Sequence, residues 1–447
     1  MRKVFISFLG TNDYLLCSYE FKEFPPVQNV RFVQEACIVR WCEQWNAEDR
    51  IFICVTEEAE KKNWLDGGHA RSGDGGSEFR QGLATRLKAL QLVAPYEKVT
   101  ISAGRSEEEI WGIFERVFSL LRANDHLYLD ITHAFRSLPV LAMAILSYAK
   151  VMRKISVHAI SYGAIEVLGR IEEVKKLPVE ERNVPVFNLL PFDRLQDWTT
   201  AVDRFTTTGD ASQIERLADM DMRSILKATK GQGTDARTIQ KLSQQLKEFS
   251  DVLATCRGRD ISASVTSVKK SLERIQDLNF LPPFKPVVLD KLEPALAAFQ
   301  DDEITDGLAA ARWCLNHHLY QQGYTILLET MITFVVNQAL GKDGRNQEDR
   351  DLVNQCAAII TKDIPESECR HPANHDKLIP QRMITWMRPQ QELLKGLRDL
   401  IGIRNDINHS GQRDTAMRPE TIRKNLSRYL EEMEQIVAKI SSEIRQA

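Results

Sequence analysis

Short runs of β-branched and apolar residues alternate with helical patterns through the first part of the chain, and this alternation restricts the fold more than any other feature. Several of the runs are continuously apolar, which is typical of parallel strands covered on both faces. The runs are Val4–Leu9, Ile51–Val55, Val99–Ile101, Leu127–Ile131 and Ile155–Ile160. The alternation therefore predicts a doubly wound, Rossmann-like α/β domain over residues 1–195.

A different pattern begins after Pro191, where long stretches with helical spacing replace the strand signal. The clearest break in this part is the proline cluster of Leu281–Pro286. Proline neither continues a helix nor donates to a strand ladder, so we place a boundary there. We expect an all-α linker domain over residues 196–285 and a separate all-α C-terminal domain over residues 286–447.

The charge balance excludes a chain that is basic throughout, because 59 Lys or Arg oppose 62 Asp or Glu and give a formal net charge of −3. Any nucleic-acid site must therefore be local.

The longest apolar run, Leu138–Ala149, is too short to span a bilayer, so we expect a cytoplasmic protein without membrane contact. Metal-ligand types occur at short spacing in Cys369–His375, but an obvious fourth ligand is missing and no metal site is predicted.

Two loops lie where an open parallel sheet binds ligands, beyond the carboxyl ends of its strands. They are Gly10–Tyr14 and Asp130–Ser137, and both combine small residues and hydroxyls with a helix N-terminus downstream. Such an arrangement binds anions through free main-chain N–H groups, and Arg136 adds a guanidinium that suits a phosphate. The sequence lacks G-x-G-x-x-G at residues 10–15 and lacks G-K-[ST], so no nucleotide cofactor is predicted. By pattern alone, purely structural strand-end loops fit equally well.

The segment Asp130–His133, followed by Phe135–Pro139, resembles the D-x-T-H-G motif of CRISPR-associated Rossmann-fold (CARF) proteins. Gly10–Tyr14 is similar to the first ligand loop of that family and Ser161–Ala164 to a later one, whereas Ala134 stands where the family has glycine. The resemblance covers most of residues 1–210. It implies that cyclic oligoadenylate, in this subfamily the tetra-adenylate ring, binds at a site shared by two subunits. The residues it assigns to the ligand are Gly10, Thr11, Asn12, Tyr14, Asp130, Thr132, His133, Arg136, Tyr162 and Gly163.

The helical region contains a second candidate, Arg404–His409, which has the form R-x4-H. The same pattern occurs at Arg153/His158, Arg312/His317 and Arg370/His375, so the pattern alone does not choose. Only Arg404 is followed directly by a polar residue at the end of an apolar helical stretch. In that context the segment resembles the motif of HEPN ribonucleases, a family often joined to CARF domains.

The chemistry of RNA cleavage explains these residue types. Without a metal ion, a proton must leave the ribose 2′-hydroxyl or reach the 5′-oxygen, and histidine titrates near the working pH. Arginine instead stabilises charge on the phosphate. The resemblance implies His409 as the proton-transfer residue, Arg404 as the charge-stabilising residue and Asn405 as a residue that orients one of them. Residues 382–428 carry ten Lys or Arg and five Asp or Glu, a local excess that suits a short single strand.

The two resemblances together imply a cyclic oligoadenylate-activated endoribonuclease of type III CRISPR antiviral defence. We expect a homodimer or higher homo-oligomer, because positions i and i+5 of one helix point about 140° apart and two copies are needed for a compact site. The expected reaction is metal-independent cleavage of single-stranded RNA to 2′,3′-cyclic phosphate and 5′-hydroxyl ends, with no cofactor besides the activator. Two alternatives remain open. They are a ligand-sensing regulator without nuclease activity and a ring nuclease that degrades cyclic oligoadenylate through Thr11, Thr132 and His133.

Overall fold

The computed structural model describes residues 1–69, 80–133, 138–230, 232–276, 285–365, 378–412 and 414–446. The chain divides into two compact units, Met1–Arg194 and Leu195–Ala447. The first unit is an α/β domain built on one sheet, and the second is mostly helical. The predicted order, an α/β domain followed by a helical region, is therefore confirmed.

One eight-stranded sheet organises the first unit, in the order β3-β2-β8-β7-β6-β1-β4-β5. The strands are β1 Lys3–Leu9, β2 Cys17–Phe21, β3 Val27–Val30, β4 Arg50–Val55, β5 Tyr96–Thr100, β6 His126–Asp130, β7 Ser156–Gly163 and β8 Asn183–Asn188. Strands β7, β6, β1, β4 and β5 run parallel, and they are the five that the apolar runs predict. The carboxyl ends of β1, β6 and β7 therefore share one edge of the sheet.

The sequence patterns do not predict the other three strands, β2, β3 and β8. β8 pairs antiparallel with β7 and parallel with β2, and β3 pairs antiparallel with β2. Their sequences, CSYEF, VQNV and NVPVFN, contain charged or amide side chains or a proline, so none forms a continuously apolar run. Only the pairing with neighbouring strands identifies them as part of the sheet.

Helices cover both faces of the sheet, as expected for a doubly wound domain. They are α1 Val33–Cys42, α2 Glu57–Ala59, α3 Leu83–Ala89, α4 Glu107–Leu120, α5 Leu138–Arg153 and α6 Ile171–Val174. One hydrophobic cluster contains residues of α1 and α3, and a second contains residues of α4 and α5. At the start of α4, Ser106 accepts the N–H of Glu109 at 3.2 Å, and the Glu109 carboxylate accepts the N–H of Arg105 at 2.9 Å.

The second unit consists of helices around one core. Their bounds are α7 Leu190–Thr208, which begins in the first unit, α8 Ser212–Ala228, α9 Thr234–Ala254, α10 Ile261–Gln276, α11 Lys285–Ala295, α12 Glu303–Asn316, α13 Tyr320–Leu340, α14 Gln347–Lys362, α15 Leu378–Met387, α16 Gln391–Asn408 and α17 Pro419–Gln446. A single cluster of buried hydrophobic side chains extends from Trp198 to Ile440.

Part of the proline break, residues 281–284, lies outside the described residues, and the division between linker and C-terminal domain stays a prediction. Among the described helices, none combines the length and the apolar character needed to cross a membrane.

Candidate functional site

The first predicted loop follows β1 and is held in place by its own hydrogen bonds. Gly10 donates its main-chain N–H to the hydroxyl of Tyr14 at 2.8 Å. The buried amide of Asn63 donates to the carbonyls of Gly10 and Asn12 at 2.8 and 2.9 Å. A Cβ on Gly10 would lie 3.1 Å from the Cβ of His133, so a side chain has little room there. The loop therefore packs directly against the turn that follows β6.

The second predicted loop is organised by Asp130, the last residue of β6. Its fully buried carboxylate accepts the hydroxyl hydrogens of Ser7 and Thr132, both at 2.6 Å, and the main-chain N–H of Thr132 at 3.1 Å. Burial raises the pKa of Asp130, and these hydrogen bonds oppose that effect. Thr132 in turn accepts the main-chain N–H of Gly163 at 2.8 Å. Asp130 thus fixes the orientation of Thr132, and Thr132 joins β6 to the end of β7.

Tyr14 and His133 form an aromatic pair between the two loops. Their ring centroids lie 4.3 Å apart in an edge-on arrangement. Burial raises the pKa of Tyr14 and lowers the pKa of His133 to about 4. His133 is therefore a neutral imidazole at pH 7, and it offers hydrogen bonding and ring contact to a ligand without a positive charge.

The ends of β1, β6 and β7 surround one cavity of about 820 Å³, which we call the strand-end cavity. Such a volume is within the usual range for small-molecule sites. Its lining includes five of the predicted ligand residues, Asn12, Tyr14, Thr132, His133 and Gly163. The structure therefore brings the three predicted loops together around one space.

A segment that the sequence analysis did not identify forms another wall of the strand-end cavity. Between residues 165 and 175 the lining consists of Ile165, Glu166, Gly169, Arg170, Ile171, Glu173, Val174 and Lys175. This segment directly follows β7 and includes a 3-10 turn and α6. Gly169 followed by Arg170, just beyond the end of β7, is the sequence signal that could have identified this segment.

Ion pairs and hydrogen bonds occupy most of the carboxylates in this lining. Asp13 pairs with Arg31 at 3.3 Å and with Arg80 at 2.7 Å. Glu173 accepts the main-chain N–H of Arg170 at 3.0 Å, which fixes the start of α6. The guanidinium of Arg170 is exposed beside the cavity, where it suits an anionic group of a ligand.

Tyr162, one of the predicted ligand residues, is not part of the cavity lining. Its hydroxyl donates to the carboxylate of Glu166 at 2.5 Å, and this hydrogen bond is the main cause of a pKa raised to about 12. Thr11 is half-buried in the first loop, and Arg136 lies outside the described residues. In the described ranges, no group of three or more His, Cys, Asp or Glu side chains is placed to hold a metal ion, and Cys369–His375 lies outside those ranges.

Arg404, Asn405 and His409 lie at the C-terminal end of α16. His409 is the C-cap residue, with an exposed side chain, and its N–H donates to the carbonyl of Asn405 at 3.0 Å. Arg404 and Asn405 are half-buried in the last turns of the helix. The Nε of Arg404 is buried and has no hydrogen-bond partner among the described residues. The helix end thus presents an imidazole to solvent, with a guanidinium one and a half turns earlier.

The competing R-x4-H pairs are engaged elsewhere. The guanidinium of Arg312 forms an ion pair with Glu434 at 2.7 Å, and the ring of His317 stacks on Trp313 with centroids 4.2 Å apart. Burial lowers the pKa of His158 to about 4, so its ring is neutral at pH 7. Both residues of Arg370/His375 lie outside the described part of the chain. His158 is exposed on β7 as well, but its ring stacks on that of His126 with centroids 4.4 Å apart, so exposure alone does not select Arg404–His409.

Comparison with known proteins finds two similarities, both to CRISPR-associated proteins. Residues 194–301 match the family model described as CRISPR-associated protein MJ1674, second domain. The chain is also similar to CRISPR-associated protein MJ1674 of Methanocaldococcus jannaschii, with 25% identity over 239 residues. That similarity covers 52% of this chain and 32% of the relative, so the match spans about a third of the relative's length. Both matches support a relationship to CRISPR-associated proteins. The segment 194–301 contains neither the strand-end cavity nor Arg404–His409.

Proposed function

We propose that the chain is a ribonuclease of type III CRISPR antiviral defence whose CARF domain is the sensor of a cyclic oligoadenylate. The observation that carries the proposal is the strand-end cavity, where loops after β1, β6 and β7 meet around about 820 Å³. A cyclic oligonucleotide presents both phosphates and bases. In the cavity lining, Arg170 suits a phosphate, and the apolar surfaces of Tyr14 and Ile165 suit bases. The similarity to a CRISPR-associated protein supports the same reading.

Cleavage is assigned to the end of α16, which acts as the HEPN motif of the chain. The exposed imidazole of His409 transfers protons, and the guanidinium of Arg404 stabilises charge on the scissile phosphate. Arg404 and His409 are five positions apart on the helix, so one copy does not make a compact site. Two subunits therefore contribute the catalytic groups together, and the messenger favours the packing in which these groups meet.

The deciding experiment is cleavage of a fluorescent single-stranded RNA in the presence of a chelator, with and without each cyclic oligoadenylate. We expect cleavage only with one ring size, and 2′,3′-cyclic phosphate and 5′-hydroxyl product ends. His409→Ala should lower the rate by about 10²-fold or more and leave messenger binding intact. The matched control is His318→Ala, which removes another exposed histidine of the same unit. Undiminished cleavage by His409→Ala, or no cleavage with any ring, refutes the assignment.

A second candidate activity is degradation of the messenger in the strand-end cavity. The observation that favours it is the neutral imidazole of His133 beside the hydroxyl of Thr132 in the lining. A neutral imidazole can accept a proton from a ribose 2′-hydroxyl. Mass spectrometry of the ring during incubation with the His409→Ala protein tests this activity, because a ring that stays intact excludes it.

A further inference from the structure

Helix α16 ends in a Schellman motif that presents His409. The main-chain N–H of Gly411 donates to the carbonyl of Asp406 at 3.0 Å, and the N–H of Ser410 donates to the carbonyl of Ile407 at 2.9 Å. These are the two bonds that define this type of helix end. Ser410 and Gly411 both have left-handed backbones, with φ of 57° and 63°. The main chain therefore turns away from the helix axis immediately after His409.

Asp406 binds the returning chain as well as the helix end. Its side chain is 7% exposed, and its carboxylate accepts the main-chain N–H of Met417 at 3.0 Å. The same residue thus holds the start of the following loop through its carbonyl, at Gly411, and the far end through its side chain, at Met417. His409 lies between Asp406 and this loop in the sequence.

Helix stability does not explain a carboxylate at this position. The C-terminal end of a helix carries a partial negative charge, so an anion in the last turn is unfavourable. Burial of the carboxylate adds a desolvation cost that only its hydrogen bonds offset. The position therefore favours a residue whose acceptor oxygen is needed by the loop.

We propose that Asp406 is a positioning residue for RNA cleavage, which closes the loop after α16 and thereby fixes His409 relative to Arg404. The inference rests on the proposed function, since it concerns the same site. Without the carboxylate, the N–H of Met417 loses its acceptor and the loop samples more conformations. His409, as the last residue before that loop, then spends less time in the reactive orientation. A catalytic group displaced by about 1 Å can cost about 10²-fold in rate, so the effect appears in kcat.

Two variants of Asp406 separate positioning from mere folding. Asp406→Ala should lower kcat for single-stranded RNA by about tenfold or more, with KM within about twofold of the wild type. Asp406→Asn keeps an oxygen that accepts the N–H of Met417, and it should recover kcat to within about threefold of the wild type. The matched control is Asp306→Ala in α12, which removes a carboxylate that is 1% exposed and accepts the N–H of Gln300 at 2.6 Å. If general destabilisation were the cause, Asp306→Ala would lower kcat as much.

Hydrogen exchange gives a measurement that does not depend on cleavage. The amide of Met417 should exchange about tenfold faster in Asp406→Ala than in the wild type, and at the wild-type rate in Asp406→Asn. If the wild type cleaves RNA and Asp406→Ala cleaves it with an undiminished kcat, the positioning role is wrong and the proposed function still stands. Equal losses of kcat in Asp406→Ala and Asp406→Asn also overturn it, because the hydrogen bond would then not be the cause. A wild-type protein that cleaves no RNA with any cyclic oligoadenylate instead refutes the proposed function.

Discussion

The hydroxyl of Thr132 accepts the main-chain N–H of Gly163 at 2.8 Å. This bond connects the turn after β6 with the end of β7, and the same hydroxyl donates to the buried carboxylate of Asp130 at 2.6 Å. One small side chain therefore fixes two walls of the strand-end cavity relative to each other. Thr132 also lines the cavity, so the fold of the strand ends and contact with a ligand depend on the same residue.

Replacing Thr132 with valine should weaken both the fold and the cavity. Valine keeps the shape of threonine but lacks the hydroxyl, so the N–H of Gly163 loses its acceptor and Asp130 loses a donor. We expect a loss of about 1–3 kcal/mol in the free energy of unfolding. Urea denaturation measures this loss, and fluorescence anisotropy of a labelled cyclic oligoadenylate measures binding. Thr132→Ser, which retains the hydroxyl, is the control, and equal stability of Thr132→Val and wild type would contradict the role given to this bond.

Charge reversal at Arg170 should weaken binding of the messenger. Arg170→Glu replaces a guanidinium beside the cavity with a carboxylate, while the main-chain bond to Glu173 is retained. We expect affinity for cyclic oligoadenylate to fall by about tenfold or more, because a hydrogen bond to a charged group contributes about 1.5–3 kcal/mol. The control is Lys176→Glu, an exposed cation outside the cavity lining. Equal affinities of Arg170→Glu and Lys176→Glu would show that residues 165–175 do not contribute to the binding site.

Acid should destabilise the first unit through His133. Its pKa falls from 6.5 to about 4 in the folded protein because of burial, so folding favours the neutral ring. The stability that this group contributes is present above pH 6.5 and is lost as the pH falls from 6.5 towards 4. Between pH 7.5 and 5, this one group should cost about 2 kcal/mol.

Hydrogen exchange of the β6 amides at the two pH values, corrected for intrinsic rates, measures that loss. His133→Phe keeps a ring against Tyr14 but cannot be protonated, so its pH dependence should be smaller. An identical pH dependence in the variant and the wild type would show that His133 titrates normally.

The end of α16 offers a stabilising substitution. Ser410 has φ of 57°, a left-handed conformation that costs a residue with a side chain but not glycine. Ser410→Gly should therefore raise the free energy of unfolding by up to about 1 kcal/mol. Gly411→Ala should do the opposite, because φ there is 63° and an added Cβ would lie 3.4 Å from that of Ala416. Thermal denaturation of both variants tests the pair, and a stabilised Gly411→Ala would argue against the Schellman geometry.

Strands that are buried on both faces were predictable because their apolar residues are continuous. β1 and β4 show this directly, since FISFL and IFICV carry no charged side chain. β2 and β8 were not predictable, because Glu20 and Pro185 interrupt the pattern that the sequence reasoning used. Their place in the sheet depends on hydrogen bonds to strands far away in the sequence. Local pattern therefore identifies the five neighbouring parallel strands of this sheet and misses the three at its other edge.

The sequence by itself determined the order of an α/β domain and a helical region, and it located the loops after β1 and β6 and the motif at the end of α16. These features depend on periodicity and on residue types at short spacing, which a linear chain displays. Tertiary structure decided that Thr132 joins Gly163 across 31 positions and that residues 165–175 complete the cavity wall. It also decided that Asp406 binds Met417 across a loop. Such contacts follow from where packing places distant segments, and hydrogen bonds become specific only once that packing brings donor and acceptor together.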